Sequence, residues 1–318
     1  MVYFKKKCIF AEKSQQMVKV SVILPIYNVA PYLDETFQSL LTQTLKEIEI
    51  IAVNDGSTDN SEEIIQKYQN QDPRIISISQ ENLGLSDARN TALRLATGQY
   101  IFMMDSDDIL SHSDALKMCF EYAEKKHADF IFFDGERFRD GTYEHISDIQ
   151  RTHLAEENTP YDGQDLLNLM LDHNTHNSAV WLLLINHDFM NRQGLRFYSG
   201  IIHEDELFTT ILTLSSNAIF CLKKSLVRHR IRSTSIMGTH ISKHNLECYL
   251  IVSDELLKFS HAPIVHKYLK YTLSKVFYTG HQIPSKDKPA IFWRALKSGY
   301  LRYIGLKSLL VFILKRSK

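Results

Sequence analysis

The sequence predicts an α/β fold at its front, a mostly parallel sheet flanked by helices, followed by a mainly helical C-terminal region. Three observations carry this. Between Val18 and Phe133, β-branched apolar runs alternate with stretches whose apolar residues recur every three or four positions. Turn residues fall between the two kinds of segment. Helices of this length between successive strands make βαβ units, which bring the strands parallel.

The elements follow in order. Val18–Ile26 reads as a strand ending at Pro25 and Asn28, and Ala30–Gln43, with Leu33, Phe37, Leu40 and Leu41, as a helix. Glu49–Val53 is a strand closed by the turn Asn54-Asp55-Gly56-Ser57. Asp59, with Glu62 three residues on, predicts a capping box for a helix through Tyr68. Arg74–Ser79 is a strand, Ser86–Ala96 a helix stopped near Gly98, Tyr100–Met104 a strand, Ser113–Lys126 a helix and Asp129–Phe133 a fifth strand. Residues 134–162 are polar and turn-rich with no element assigned. Gly163–Leu171, Ala179–Asn191 and Glu206–Leu214 read as helices, the region near Phe220 as a short strand, and 242–279 as mainly helical.

The chain has 318 residues, 37 basic and 37 acidic, and is 44% hydrophobic. That excludes a disordered chain and a small disulfide scaffold, and the neutral balance argues against a nucleic-acid partner. The charge is uneven: residues 286–318 carry nine Lys/Arg and one Asp, a net of +8, so the first 285 residues sum to −8. Cys8, Cys119, Cys221 and Cys248 lie far apart and are expected as buried thiols in a reducing cytoplasm. The apolar runs Val180–Ile185, made seven residues by Ala179, and Leu309–Leu314, of six, fall far short of the ~20 a membrane span needs. Met1–Gln16 reads as an extension upstream of Met17. The expected divisions are thus residues 1–16, 17–240 (with a boundary near 133) and 241–318.

Ligands of parallel sheets bind at the carboxyl ends of the strands. There stand Tyr27 and Asn28, Asn54 and Asp55, Glu81 and Asn82, and Asp105-Ser106-Asp107-Asp108. Three carboxylates in four positions repel one another, which a cation or a donor array would offset. Hard oxygen ligands suit Mg²⁺ or Mn²⁺, and such a cation suits a diphosphate substrate. The same run would also serve as a solvated acidic turn before a helix capped by Ser113 or Asp114. His173/His176 and His240/His244 have helical metal-ligand spacing, but no carboxylate or cysteine motif accompanies them to make a zinc site.

Four blocks in order, VSVILPIYN ending at Asn28, VNDGSTDNS (53–61), ENLGLSDARN (81–90) and DSDD (105–108), resemble the family 2 glycosyltransferases of the GT-A fold. The resemblance is close over residues 17–133. It implies that Pro25 and Tyr27 line the nucleotide base, that Asp55 accepts from the base edge, that Arg89 lies near the diphosphate or base, that Asp105 or Ser106 meets the ribose, and that Asp107 is the metal ligand. Downstream, Leu195–Phe197 through His203-Glu204-Asp205-Glu206-Leu207-Phe208, with Gly200, resembles the family's segment carrying the general base. Asp205 is the expected base, with Glu204 second. The same acidic residues would also complement a helix dipole. Arg228–Ile236 resembles the basic segment after the last strand, where Arg230, Arg232 and Ser235 would contact diphosphate or acceptor and His229 could complete the metal shell; His229 stands where an aromatic is frequent.

The resemblance implies a metal-dependent, inverting glycosyltransferase. Its expected partners are a nucleotide-sugar donor, UDP-linked first of all, and a glycan or lipid-linked glycan acceptor in bacterial surface-polysaccharide assembly. A sugar-nucleotide-binding protein without turnover is the alternative. A haloacid-dehalogenase-like phosphatase would need its Asp after the first strand, and a dinucleotide-dependent oxidoreductase would need glycines in the first turn, where Tyr27-Asn28-Val29 stands. The basic tail, with Trp293, Leu296 and Leu309–Leu314 among its charges, suits either the inner face of an anionic membrane or the chain's own acidic surface.

Overall fold

The computed structural model describes residues 17–232 and 241–315; residues 1–16, Cys8, Ser235 and His240 lie outside them. Four strands run parallel as expected: β1 (Val20–Ile26), β2 (Ile48–Asp55), β3 (Ile75–Gln80) and β4 (Tyr100–Met103), in the order β3-β2-β1-β4. The crossovers are α1 (Ala30–Leu41), α2 (Ser61–Gln71) and α3 (Leu85–Leu93). Every residue of β1 and β2 is buried, which is why both read as near-continuous apolar runs rather than as alternations.

Two local expectations fail. The box at Asp59 does not form: Asn60 takes the cap position of α2, and Asp59 accepts from the amides of Ser61 and Ala30 while Glu62 turns to Asn54 and Ser79. Nor does Gly98 stop α3, which ends at Leu93. A Cβ at residue 98 would lie 2.6 Å from the Ser21 amide, so this glycine serves close approach to β1.

Downstream the sheet becomes mixed. It continues through β5 (Ile109–Leu110), α4 (Ala115–Lys126), β6 (Phe130–Arg139), β7 (His145–Ile149), α5 (Gly163–Asp172), β8 (Leu183–Asn186), α6 (His187–Arg192), α7 (Glu204–Ser215) and β9 (Ile219–Ile231). The full order is β3-β2-β1-β4-β8-β6-β9-β5, with β7 on β6; β8 runs antiparallel to both neighbours and β9 parallel to β6. The helix expected over Ala179–Asn191 is instead a short 3-10 turn, β8 and α6. A continuous apolar run fits a doubly buried strand as well as a helix, and Leu183–Ile185 lie buried between β4 and β6. Residues 134–149, expected to lack elements, hold the rest of β6 and β7. Register shifts at Phe133–Gly135 and at Arg137/Phe138 break the two-residue period that would have marked them.

The C-terminal helices α8 (Lys243–Phe259), α9 (Pro263–Thr279), α10 (Lys288–Lys297) and α11 (Leu306–Leu314) build a second core around Tyr268, Leu269, Leu273, Phe277 and Phe312. Leu167 and Leu171 of α5 and Leu207 of α7 belong to it, which ties it to the sheet. The basic tail is thus folded onto α8 and α9 rather than onto the acidic front: Ile291, Ala295, Tyr300, Tyr303 and Phe312 are buried, while Trp293, Leu306, Leu310, Ile313 and Leu314 are exposed. Among the described residues no helix is long and apolar enough to cross a membrane. Cys119, Cys221 and Cys248 are free and buried.

The junction of α5 and α7 leaves no room at Gly163, where an added Cβ would stand 1.7 Å from the Thr213 carbonyl oxygen. Gly163→Ala is expected to destabilise the protein by about 1–3 kcal/mol or more, read as a drop in urea midpoint. An unchanged midpoint would show that the two helices separate freely.

Candidate active site

The loops after β1 and β2 hold each other. Asn28, with φ 52°, accepts at its side-chain oxygen from the Thr58 amide at 2.8 Å, and its own amide donates to Ser57 Oγ. The Val29 and Ala30 amides donate to Ser61 Oγ and Asp59 Oδ2, so the VNDGSTDNS block fixes the loop beneath the start of α1. Pro25 is buried within β1 and Tyr27, just beyond it, is 49% exposed. Asp55 ends β2 and accepts from Gln80 Nε2 and from the Leu83 and Gly84 amides, at 2.8–3.0 Å. Three donors leave a carboxylate's acceptor capacity unfilled.

At the end of β4, the Asp105–Asp108 turn is anchored from beneath. Thr36 Oγ1 of α1 donates to the Ser106 and Asp108 carbonyls at 3.0 and 2.8 Å. Ser106 is buried. Asp108, fully buried, lies 2.9 Å from His229 Nδ1 and accepts from the Arg230 amide, because β5 pairs with β9 at Arg228 and Val227. Burial pushes the Asp108 carboxyl up to about 7 against the His229 hydrogen bond. Burial would lower the His229 imidazole, but the Asp108 contact outweighs it and raises the pKa. Trp181 stacks on the His229 ring at 4.9 Å.

Arg89 joins the two ends of the site. Carried on α3 and buried, it donates to Glu204 (2.8 Å), Asp205 (2.7 Å) and Asp105 (3.2 Å), and its guanidinium lies over the Phe197 ring at 4.9 Å. Neighbours in the same helix hold the segment that delivers those acids: Asn90 exchanges two hydrogen bonds with the Phe197 backbone, and Asp87 accepts from Ser199 Oγ. Glu204 and Asp205 open α7 after His203, whose φ of 68° is left-handed and strained for a non-glycine. One guanidinium cannot neutralise three carboxylates. Burial and the neighbouring acids, against Arg89, push the Asp205 carboxyl up to about 7.

The basic segment divides its work. Arg230, 2% exposed, is enclosed by Glu35, Asp140 and the Asp107 carbonyl oxygen, with Tyr32 and Phe138 against its plane. Arg232 reaches the Asp107 carboxylate at 2.8 Å. Burial and the Asp105 charge push Asp107 up, and Arg232 opposes them. Two further residues were not foreseen. Glu35 looks like any exposed helix acid in sequence, and buried Arg151, pulled down to about 10 by desolvation, has Asp134 and Asp205 as its compensating charges. Arg151 lies in the stretch without assigned elements, so no sequence signal placed it.

Asp105 and Asp107 supply hard oxygen donors whose repulsion a divalent cation would offset, so this donor set fits Mg²⁺ or Mn²⁺. His229 offers only Nε2 to such an ion, since Nδ1 faces Asp108. Among the described residues, the group of three donors already gathered closely enough for an ion is a different one, Glu136, His145 and Asp148 on the β6–β7 hairpin. Glu136 there is paired with Arg228.

The family model for glycosyl transferase family 2 matches residues 21–190. Glycosyltransferase GlyA of Streptococcus pneumoniae serotype 4 is 32% identical over 233 residues, 69% of this chain and 31% of that protein. The chain therefore spans about a third of GlyA's length. An uncharacterized glycosyltransferase of Bacillus subtilis, EpsJ, is 33% identical over 280 residues, 83% of this chain and 76% of that one. Among solved structures, Staphylococcus aureus TarS 1-349 in complex with UDP-GlcNAc superposes with a TM-score of 0.70 at 20% identity, covering 92% of this chain and 83% of that one. That likeness shows the fold, an α/β architecture of the GT-A type.

Proposed function

The chain belongs to glycosyl transferase family 2, and from that premise we propose that it transfers a hexose or N-acetylhexosamine, with inversion, from a nucleotide-diphosphate sugar to a glycan hydroxyl in surface-polysaccharide synthesis. The observation that carries this reading is the Arg89 network. It draws the acid at the end of β4 and the acids opening α7 into contact with one guanidinium, so a donor held at one end would present its anomeric carbon to a base at the other. TarS, which binds UDP-GlcNAc, makes a UDP-linked donor the first to test.

The residues take these roles in the proposal. Tyr27 and Asp55 meet the base, with Pro25 beneath, and Asp105 or Ser106 meets the ribose. Asp107 would hold Mn²⁺ or Mg²⁺, with His229 Nε2 as a second ligand; the cation supplies Lewis-acid stabilisation of the departing diphosphate's charge. The Arg232 guanidinium stands where it would exchange Asp107 for a phosphate oxygen. Arg230, already enclosed, holds the turn rather than the ligand, and Ser235 keeps the contact its motif implies. Asp205 takes the proton of the acceptor hydroxyl as that oxygen bonds to the anomeric carbon, and the bond to the nucleotide breaks with its electron pair on the diphosphate. A thermal-shift screen of nucleotide sugars with Mn²⁺ tests the reading: the cognate donor should raise the midpoint by mass action. A bound donor with no transfer to any acceptor would favour a binding protein instead.

We place the protein at the cytoplasmic face of the membrane, peripherally held. Leu306, Leu310, Ile313 and Leu314 form an exposed apolar stripe on α11, beside Lys307 and Lys315. Each basic residue near an anionic surface contributes ~1 kcal/mol. Because Phe312 and Tyr300 are core residues, deleting the tail would unfold the helices, so point changes are the cleaner test. Leu310→Asp with Ile313→Asp is expected to abolish sedimentation with anionic liposomes at low salt while the melting temperature holds. Wild type that ignores such liposomes would remove the membrane from the reading.

A further inference from the structure

Beside the first turn of α7 lies a cavity of about 250 Å³ lined by residues of α7, α8 and α9. Its walls include His203, Glu206, Asn245, Tyr249, Tyr271 and Lys275. We propose that this cavity binds one sugar ring of the acceptor glycan, a subsite that rests on the transferase reading above.

Three observations support it. The first is position: His203 and Glu206 bracket Glu204 and Asp205 in sequence, so one helical turn offers its acids to the reaction centre and its flanking residues to the cavity. The second is size. At 250 Å³ the space falls below the ~300–1,000 Å³ of pockets for drug-sized ligands, which suits a single ring rather than a nucleotide.

The third is chemistry. A pyranose has apolar C–H faces and a rim of hydroxyls, and it needs flat aromatic surface together with mixed donors and acceptors. Tyr249 and Tyr271 supply the rings, while Asn245, Thr272 and exposed Lys275 supply polar groups. Glu206 is fixed in place, held at about 2 because hydrogen bonds from His176 and Tyr268 outweigh its burial. His203 stacks on Tyr249 at 4.3 Å and meets Asn245 at 3.1 Å, so the strained residue that begins the catalytic turn is also a wall of the cavity. Occupancy of the cavity would therefore bear on the backbone that carries Asp205.

The test uses the whole protein and five probes, octanol and the methyl glycosides of glucose, galactose, N-acetylglucosamine and N-acetylgalactosamine, followed by saturation-transfer NMR. UDP with Mg²⁺ is titrated in parallel. At least one glycoside should bind wild type, and Lys275→Ala and Tyr271→Ala should each weaken it tenfold or more with UDP affinity unchanged. Lys275 is exposed, so its loss leaves the core intact. If no glycoside binds, or binding survives both changes while UDP still binds, the subsite is wrong and the transferase reading stands. Saturation of the cavity by octanol alone would likewise overturn it in favour of a lipid portion. Glycoside binding that responds to both variants without any UDP binding would keep the pocket and sink the donor reading.

Discussion

Asp205→Asn is expected to lower glycosyl transfer by ~10²–10⁴-fold while leaving UDP-sugar binding nearly intact. The side chain is 24% exposed where that of Glu204 is 9%, so of the two acids that open α7 it is the one open to an incoming hydroxyl. The change removes one of three negative charges around a single guanidinium, so the fold should not suffer. A pH profile adds a second readout. With its pKa pushed up to about 7 by burial, Asp205 is ready to accept a proton only as pH rises through that value, so kcat/KM should climb across neutrality in wild type. The residual activity of the variant should lack that limb. A dead Glu204→Gln beside an active Asp205→Asn would move the base one residue back.

Asp107→Asn should be comparably severe, a fall of about 10²-fold or more, because it keeps the volume and removes the charge proposed to hold the cation. EDTA should reproduce the loss in wild type, and added Mn²⁺ should restore wild type but not the variant. The variant also releases Arg232 from its 2.8 Å partner. Donor affinity measured without metal should therefore hold steady or rise, even as turnover collapses. Full activity in both the variant and the chelated enzyme would remove the metal from the mechanism.

The order of the longer elements to Phe133 was legible because β1, β2 and β4 are buried on both faces and the helices between them present an apolar stripe, so composition and period agree. β3 is a partly exposed edge strand marked by its β-branched residues, and the two-residue β5 is too short to leave a pattern. Beyond it they part. The run Val180–Ile185 has the apolarity of a strand and the surroundings of a helix, and only its place between β4 and β6 decides. For the front half of the candidate site, what the sequence placed was position: Asp55 and Asp105–Asp108 stand at the ends of β2 and β4, as expected, the edge of such sheets at which ligands generally bind. That Arg89 would meet residues 204 and 205 was not legible, because the contact is made by Asn90 gripping the Phe197 backbone, which no periodicity records. Arg230 misled in the opposite direction. Its basic neighbourhood suggested a free clamp, but Glu35 and Asp140, distant in sequence, enclose it.

The antiparallel insertion of β8 beside β4 has a consequence for how the chain is made. The edge that β4 offers, Tyr100–Met103, has no partner until Leu183–Asn186 emerges about 80 residues later. At ~5–20 residues per second, the nascent front half spends on the order of 4–16 s with an apolar open edge, the kind that templates pairing between chains. A fragment ending near residue 133 keeps that edge for good. Expressed alone it should collect in inclusion bodies, and co-translational holdases should crosslink to it more strongly than to the complete chain.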